Sequence, residues 1–455
     1  MAMTFPKDFV LGAAAASYQV EGAAYEDGKG LSVWDVFCKK DKAIRDGYSG
    51  DVSCDHYHRY KDDVALMKQI GLKAYRFSVS WPRVLPGGAG AVNEKGISFY
   101  DRLVDELLAS GITPFLTLFH WDYPQDLFKR GGWQSADSPQ WFADYAQIIA
   151  KRLGDRVTHW MTLNEPQCTV ALGHGSGNHA PGLKLDRKGQ LQVLHNILLS
   201  HGRAVQVLRA SCKAQPTIGC AVVGSVDYPH SDSKEDVEAA RSSTMSTSAK
   251  SFGWSNTMYA DPVCLGDYPA EAFSALGQDM PKIGQRDMET IHQPMDFYGV
   301  NIYQGNEYRA GEDGKPTEVK RTAGYPLTAM PWPVTPQALY WGPRFLYERY
   351  KLPIYVTENG MANPDWIATD GKVHDPQRID FTRRYLRELR RCASDGIDVR
   401  GYFHWSIMDN FEWAEGFTKR FGMIHVDYTN QKRTLKESAD WYSQVIKTNG
   451  ASLDE

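Results

Sequence analysis

The chain has 455 residues, with 51 Lys and Arg against 55 Asp and Glu and a net charge of −4. Hydrophobic residues make up 42% and charged residues 23%, the proportions of a globular protein rather than a fibre or a disordered chain. Neither sign of charge forms a long run, so no basic patch offers itself to nucleic acid, and no window reaches the roughly eighteen apolar residues that span a bilayer.

The opening MAMTFPKDFVLG lacks a cationic segment followed by a long apolar one, which argues against a secretory signal. From it the chain runs into the first strand candidate, 9–17. A helical pattern over 57–70 puts Tyr60, Val64, Met67 and Ile70 on one face and stops at Gly71. Strand candidates at 73–81, 113–121 and 158–166 follow, with a second helical pattern at 96–110 between the first two. The longest helix signals lie at 188–213 and 375–395, and the remaining strand candidates at 217–224, 296–305, 353–360 and 399–409. Most of these runs are continuously apolar, as parallel strands buried on both faces are. Eight such strands alternating with helices predict an α/β fold, a (β/α)₈ TIM barrel with long βα loops. The loop-rich stretches are 38–54, 83–95, 168–187 and 305–334. No fixed-period repeat and no linker divides the chain. Residues 1–455 are therefore expected to form one barrel domain, since such a barrel can exceed about 400 residues.

Seven cysteines, at 38, 54, 168, 212, 220, 264 and 392, form no C-x-x-C pair, and no N-x-[ST] sequon occurs. They predict free thiols in a reducing, cytoplasmic setting. Asp55-His56-Tyr57-His58 has an H-x-H spacing without a clear third ligand, and reads as surface or capping histidines. Gly87-Gly88-Ala89-Gly90 has no helix directly behind it to hold a dinucleotide. No metal and no cofactor is predicted.

The chemistry collects at the downstream ends of the strand candidates. Gln19, His120, Trp121, Asn164, Glu165, Tyr303, Glu358 and Trp405 all stand there, and that end of a barrel is where its enzymes carry their sites. Glu165 and Glu358 supply the paired carboxyls that glycosidic cleavage requires, one to protonate the leaving oxygen and one to attack or to activate water. A single glutamate of this kind is more often a salt-bridge partner, and a single tryptophan is more often core. Together with Trp332, Glu412 and Trp413, however, they form the mixture of flat apolar faces and hydroxyl partners that suits a sugar.

At these residues the chain resembles glycoside hydrolase family 1, the β-glucosidase family, from Phe5 to about Trp441. FPKDFVLGAAAASYQVEGA is similar to its N-terminal signature, TLNEP (162–166) to its acid/base motif and TENG (357–360) to its nucleophile motif. YRFSVSWPRVLP, FHWDYPQDL, GYFHWSIMDNFEWAEGF and RFGMIHVDY resemble further blocks, in the family's order. The resemblance implies a retaining β-glucosidase that cleaves terminal β-D-glucosyl, and also galactosyl or fucosyl, residues. Glu165 would be the acid/base and Glu358 the nucleophile. Gln19, His120, Trp121, Asn164, Glu412, Trp413 and Phe421 would bind the sugar, over Trp405 as a stacking floor. Arg76 and Tyr303 would support the nucleophile, and Trp332 would flank the leaving group. In that arrangement Arg76 and Tyr303 keep Glu358 ionised, and its charge pushes Glu165 upward. Two departures stand out: Gln167-Cys168 follows Pro166 where many members have an aromatic, and Asn-Ile-Tyr replaces the common Asn-Tyr-Tyr. The first suggests an altered aglycone entrance.

Two rival readings remain at this level. A 6-phospho-β-glycosidase would carry serine at Glu412, because a carboxylate there repels the phosphate. A carbohydrate-binding barrel without activity has usually lost one glutamate. The implied partners are small β-glucosides or oligosaccharides, with no nucleic acid and no membrane; a homo-oligomer stays open.

Overall fold

The computed structural model describes residues 3–455. Eight parallel strands close into a barrel. They are β1 (Val10–Ala14), β2 (Ala74–Ser78), β3 (Thr113–Phe119), β4 (His159–Asn164), β5 (Thr217–Val223), β6 (Tyr298–Asn301), β7 (Ile354–Asn359) and β8 (Val399–Trp405). Each pairs with its neighbours in chain order, and β1 meets β8 with Val10 opposite Gly401 and Ala14 opposite Trp405. Every strand falls within a predicted apolar run and is shorter than it, because the run continues past the strand into the mouth of the barrel.

The helices α1 (His56–Ile70), α2 (Glu94–Ala109), α3 (Ser138–Leu153) and α4 (Arg187–Ser211) follow the first four strands. After the second four come α5 (Asn256–Cys264), α6 (Ala338–Tyr350), α7 (Pro376–Ser394) and α8 (Glu437–Lys447). Helix α1 buries Tyr60, Val64, Met67 and Ile70, and Gly71 ends it at φ 85° with its N–H on the carbonyls of Met67 and Lys68. A left-handed residue is needed there, and glycine takes it without Cβ strain. Asp186 caps α4 by accepting from the Gly189 N–H at 2.8 Å.

Two apolar layers result. The outward side chains of the strands pack against the helices in one large core. Inside the barrel, Phe115, Met161, Phe297, Tyr355 and Phe403 fill the axis against the small residues Ala14, Ala74 and Ala221. Gly12 belongs to the same fit, since a Cβ on it would lie 2.8 Å from the Phe403 ring and 2.7 Å from the Ala74 carbonyl. The lower barrel is thus a packed plug, and the open volume lies above it at the C-terminal ends of the strands.

Some segments depart from the sequence reading. Residues 305–334, read as loop, contain strands Gly305–Ala310 and Pro316–Glu318, which with Val226–Pro229 form a small sheet outside the barrel. Within 168–187, residues Thr169–Ser176 form a π-helix. His56 is not a surface histidine but is buried, with Nδ1 2.7 Å from Asp63; only His58 is exposed, between Asp55 and Glu26.

A buried ionic cluster ties the last two βα loops together. Lys436, fully buried, donates to Asp365 at 2.5 Å and to Asp409 at 2.6 Å. Arg378 of α7 pairs with Asp365 and with Asp375, the latter at 2.8 Å. Arg420 donates to Asp409 at 2.6 Å, and Arg378 also reaches the carbonyl of Phe421 at 3.2 Å. The loop from Trp405 to Phe421 is held by these contacts.

Candidate active site

Strands β3 to β8 each bring a residue at or just past their C-terminal end to one cavity of about 770 Å³. Glu165 follows β4 in a left-handed conformation, φ 42°, which turns its side chain over the barrel. Its Oε1 accepts from Asn301 Nδ2 at 2.9 Å and its Oε2 from the Cys168 thiol at 3.2 Å. Glu358 lies in β7, with Oε1 accepting from Arg76 Nη1 at 2.5 Å and Oε2 from the Tyr303 hydroxyl at 2.7 Å. Arg76 also donates to Asn164 Oδ1 at 2.5 Å, and Asn301 reaches the same atom at 3.0 Å. Arg76, Asn164 and Asn301 therefore link the two glutamates through one hydrogen-bonded chain. A buried arginine in the middle of a fully buried strand is costly to place without such partners.

The surroundings separate the two carboxyls. Burial raises Glu165 to about 7, with the charge of Glu358 adding to it. Burial raises Glu358 too, but the Arg76 guanidinium and the Tyr303 hydroxyl oppose the rise. Desolvation is thus the larger cause for Glu165, ahead of the neighbouring charge that the sequence reading named. Glu412 is the third carboxyl, raised to about 8 by desolvation and then by Glu358 and Glu165. His120 is held neutral by burial and by Arg76.

Around these groups stand the remaining predicted residues. Gln19 Nε2 donates to Asn410 Oδ1 at 3.1 Å, the Phe411 carbonyl at 2.9 Å and Glu412 Oε2 at 3.2 Å. Its Oε1 is buried and has no protein donor, which leaves an acceptor for a ligand hydroxyl. His120 Nε2 lies 3.0 Å from Asn164 Nδ2; accepting there leaves Nδ1 as the donor. The His120 ring stacks between Trp405 and Trp413, at 5.8 and 5.9 Å between centroids. Trp121 donates to the Asn164 carbonyl at 3.0 Å and packs 4.5 Å from Trp413. Tyr303, Trp332 and Phe421 form a second aromatic group, with Tyr303 and Trp332 at 5.0 Å.

Every site residue named from the sequence lies in or directly behind this cavity. Arg76 and Gln19 stand behind it, and the rest contribute to its wall or to the chain that links the glutamates. Two neighbours, Asn301 and Cys168, were not among the predicted site residues, although both stood in the two departures noted from the sequence. Asn301 closes β6 two residues before Tyr303, and Cys168 sits one helical turn after Glu165, so both carried a positional signal. Gln167 does not shape the entrance; it is buried and exchanges hydrogen bonds with Val223 at 3.2 and 3.3 Å. Among the described residues no group of three His, Cys, Asp or Glu could hold a metal ion, and no helix is long and apolar enough to cross a membrane.

The comparisons with known proteins point to one family. The model of glycosyl hydrolase family 1 matches residues 1–451. The 1,4-β-D-glucan glucohydrolase of Thermotoga neapolitana is 42% identical, over 98% of this chain and 99% of its own. A bifunctional β-D-glucosidase/β-D-fucosidase of Bifidobacterium breve is 40% identical, over 99% of this chain and 100% of its own. The solved β-glucosidase of Thermotoga maritima in complex with glucoimidazole superposes with a TM-score of 0.89 at 41% identity, covering 98% of this chain and 99% of that one.

Proposed function

The chain belongs to glycosyl hydrolase family 1, and on that premise we propose that it is a retaining β-glucosidase cutting terminal β-D-glucosyl residues from small β-glucosides. Glu358 attacks the anomeric carbon while Glu165 gives its proton to the leaving oxygen, and a covalent glucosyl-enzyme forms. Glu165, now ionised, takes a proton from water as the water attacks, and glucose leaves with its configuration retained. Support comes above all from the unequal surroundings of two buried carboxyls, one near 7 and one held by a cation and a phenol. Gln19, His120, Asn164, Glu412 and Trp413 bind the sugar hydroxyls, with Trp405 as its floor. Trp121, Trp332 and Phe421 shape the walls. Arg76 and Tyr303 hold the nucleophile in place.

A β-fucoside is a second substrate on this reading, since the Bifidobacterium breve relative is named for both activities. A 6-phosphoglucoside is not, because Glu412 would face the phosphate. Seven free cysteines, five of them buried, favour a reducing cytoplasmic setting, with cellobiose as a substrate. All of 1–455 acts as one catalytic unit.

A panel of nitrophenyl glycosides on purified protein tests this reading. β-Glucoside is expected to turn over at least about a hundredfold faster, by kcat/KM, than α-glucoside or 6-phospho-β-glucoside, a gap of roughly 2.7 kcal/mol in transition-state binding. Preference for the α-anomer or for the phosphorylated sugar would overturn it.

A further inference from the structure

Gln19 is held by one loop through both its backbone and its side chain. Its carbonyl accepts from the Phe411 N–H at 3.2 Å. Its side-chain NH₂ group faces three acceptors of the same loop, Asn410 Oδ1 at 3.1 Å, the Phe411 carbonyl at 2.9 Å and Glu412 Oε2 at 3.2 Å. The carbonyl can only accept. Asn410 is different, because an amide can turn either its oxygen or its NH₂ group toward Gln19. Asn410 is 2% exposed and stands behind Gln19, outside the cavity wall, so contacts within the protein decide its orientation.

Those contacts lie on its far side, where Nδ2 donates to the Met408 carbonyl and to Ser406 Oγ, both at 2.9 Å. Neither can donate in return. The single Ser406 hydroxyl proton is already given to the same Met408 carbonyl at 2.8 Å. Asn410 therefore turns its NH₂ group toward Met408 and its oxygen toward Gln19. Reversed, it would set a buried oxygen against two acceptors, which folding penalises. The consequence reaches the cavity. A hydrogen bond to the Phe411 carbonyl alone leaves the Gln19 amide free to turn about that bond, whereas a second one to Asn410 fixes its plane. With its NH₂ group drawn to the loop, the amide has only Oε1 left, which is buried and has no protein donor.

We propose that Asn410 is a positioning residue for sugar recognition, which holds the Gln19 amide so that it meets the sugar as an acceptor. The polarity of the Met408 carbonyl passes through Asn410 to Gln19 and selects a sugar with a hydroxyl donor at that point. Asn410 itself touches no substrate. This role deepens the β-glucosidase reading and rests on it.

The test compares p-nitrophenyl β-glucoside with its 3-, 4- and 6-deoxy analogues, as ratios of kcat/KM within one preparation. The ratio does not depend on how much of a variant is folded. Gln19→Ala identifies the hydroxyl that Gln19 serves, as the position where the preference for the hydroxylated sugar falls by about tenfold, the loss of one neutral hydrogen bond. Asn410→Leu keeps a branched shape but neither polar end. It is expected to lower the preference at that same position to a similar extent and to leave the other two within about twofold of wild type. When Gln19→Ala and Asn410→Leu are combined, the losses are expected not to add, because Asn410 acts through Gln19. Asn410→Ala, which demands less space, gives the same reading if the leucine variant does not fold. Wild-type ratios in both Asn410 variants, a loss spread evenly over the three positions, or additive losses in the combined variant would overturn the proposal. Absence of p-nitrophenyl β-glucoside cleavage by wild type would instead overturn the β-glucosidase reading.

Discussion

Glu165 and Glu358 are the same side chain in two different solvents. One faces an amide and a thiol, the other a guanidinium and a phenol, and three carboxyls share the pocket once Glu412 is counted. Like charges so close in a buried site cannot all ionise near neutrality, so protons are shared among them. Glu165 must be protonated to act as an acid, and its pKa near 7 sets the sign. Activity on kcat/KM is expected to fall as pH rises through about 7, and the limb belongs to Glu165. With a dinitrophenyl glucoside, whose leaving group needs no proton, Glu165→Gln is expected to lack that alkaline limb while the acidic limb from Glu358 persists. An unchanged limb would assign it to Glu412. At this scale the sequence is informative because strand ends concentrate polar residues. Gln19, His120, Asn164, Glu165 and Glu358 interrupt apolar runs, where solvated ends alone would not require such residues. Asn301 gave a weaker signal, since an asparagine closing a strand is also an ordinary turn residue, and Cys168 resembled the other six scattered cysteines.

Strands and loops divide the labour between support and chemistry. The loop from Trp405 to Phe421 presents Glu412, Trp413 and Phe421, and it is fixed by Lys436, Asp409, Asp365, Arg378 and Arg420 rather than by regular structure. Removing one member of a fully buried ionic cluster strands the others without a counter-charge. Lys436→Met is therefore expected to cost about 3–5 kcal/mol, read as a lower urea midpoint, and to raise KM because the loop that carries Glu412 and Trp413 loosens. A midpoint equal to wild type would remove the cluster from the account. The eight strands were legible from their apolar runs, and α1, α2, α4 and α7 from their helical spacing. Others were hidden for identifiable reasons. Helix α6 carries Gly342 and Pro343, and α5 carries Pro262, residues that argue against a helix interior. Strand Gly305–Ala310 is part-exposed and bounded by glycines and Pro316, so its pattern resembled a loop.

At the scale of the whole molecule, the packed lower barrel and the open upper mouth assign stability and chemistry to opposite ends. Phe403 and its neighbours hold the strands in register from below, and strands β3 to β8 each bring a residue near their C-terminal end to one cavity. The central claim is that two glutamates on different strands, β7 and the end of β4, divide one reaction between them. It is tested most directly by azide capture on two variants, with the product anomer read by proton NMR. Glu358→Gly leaves room for azide to attack the substrate from the α face, and the account predicts α-glucosyl azide. Glu165→Ala keeps the nucleophile, so an activated β-glucoside still forms the glucosyl-enzyme, and azide, needing no general base, captures it as β-glucosyl azide. Swapped anomers would reverse the two roles, and no azide product from either variant would contradict the claim.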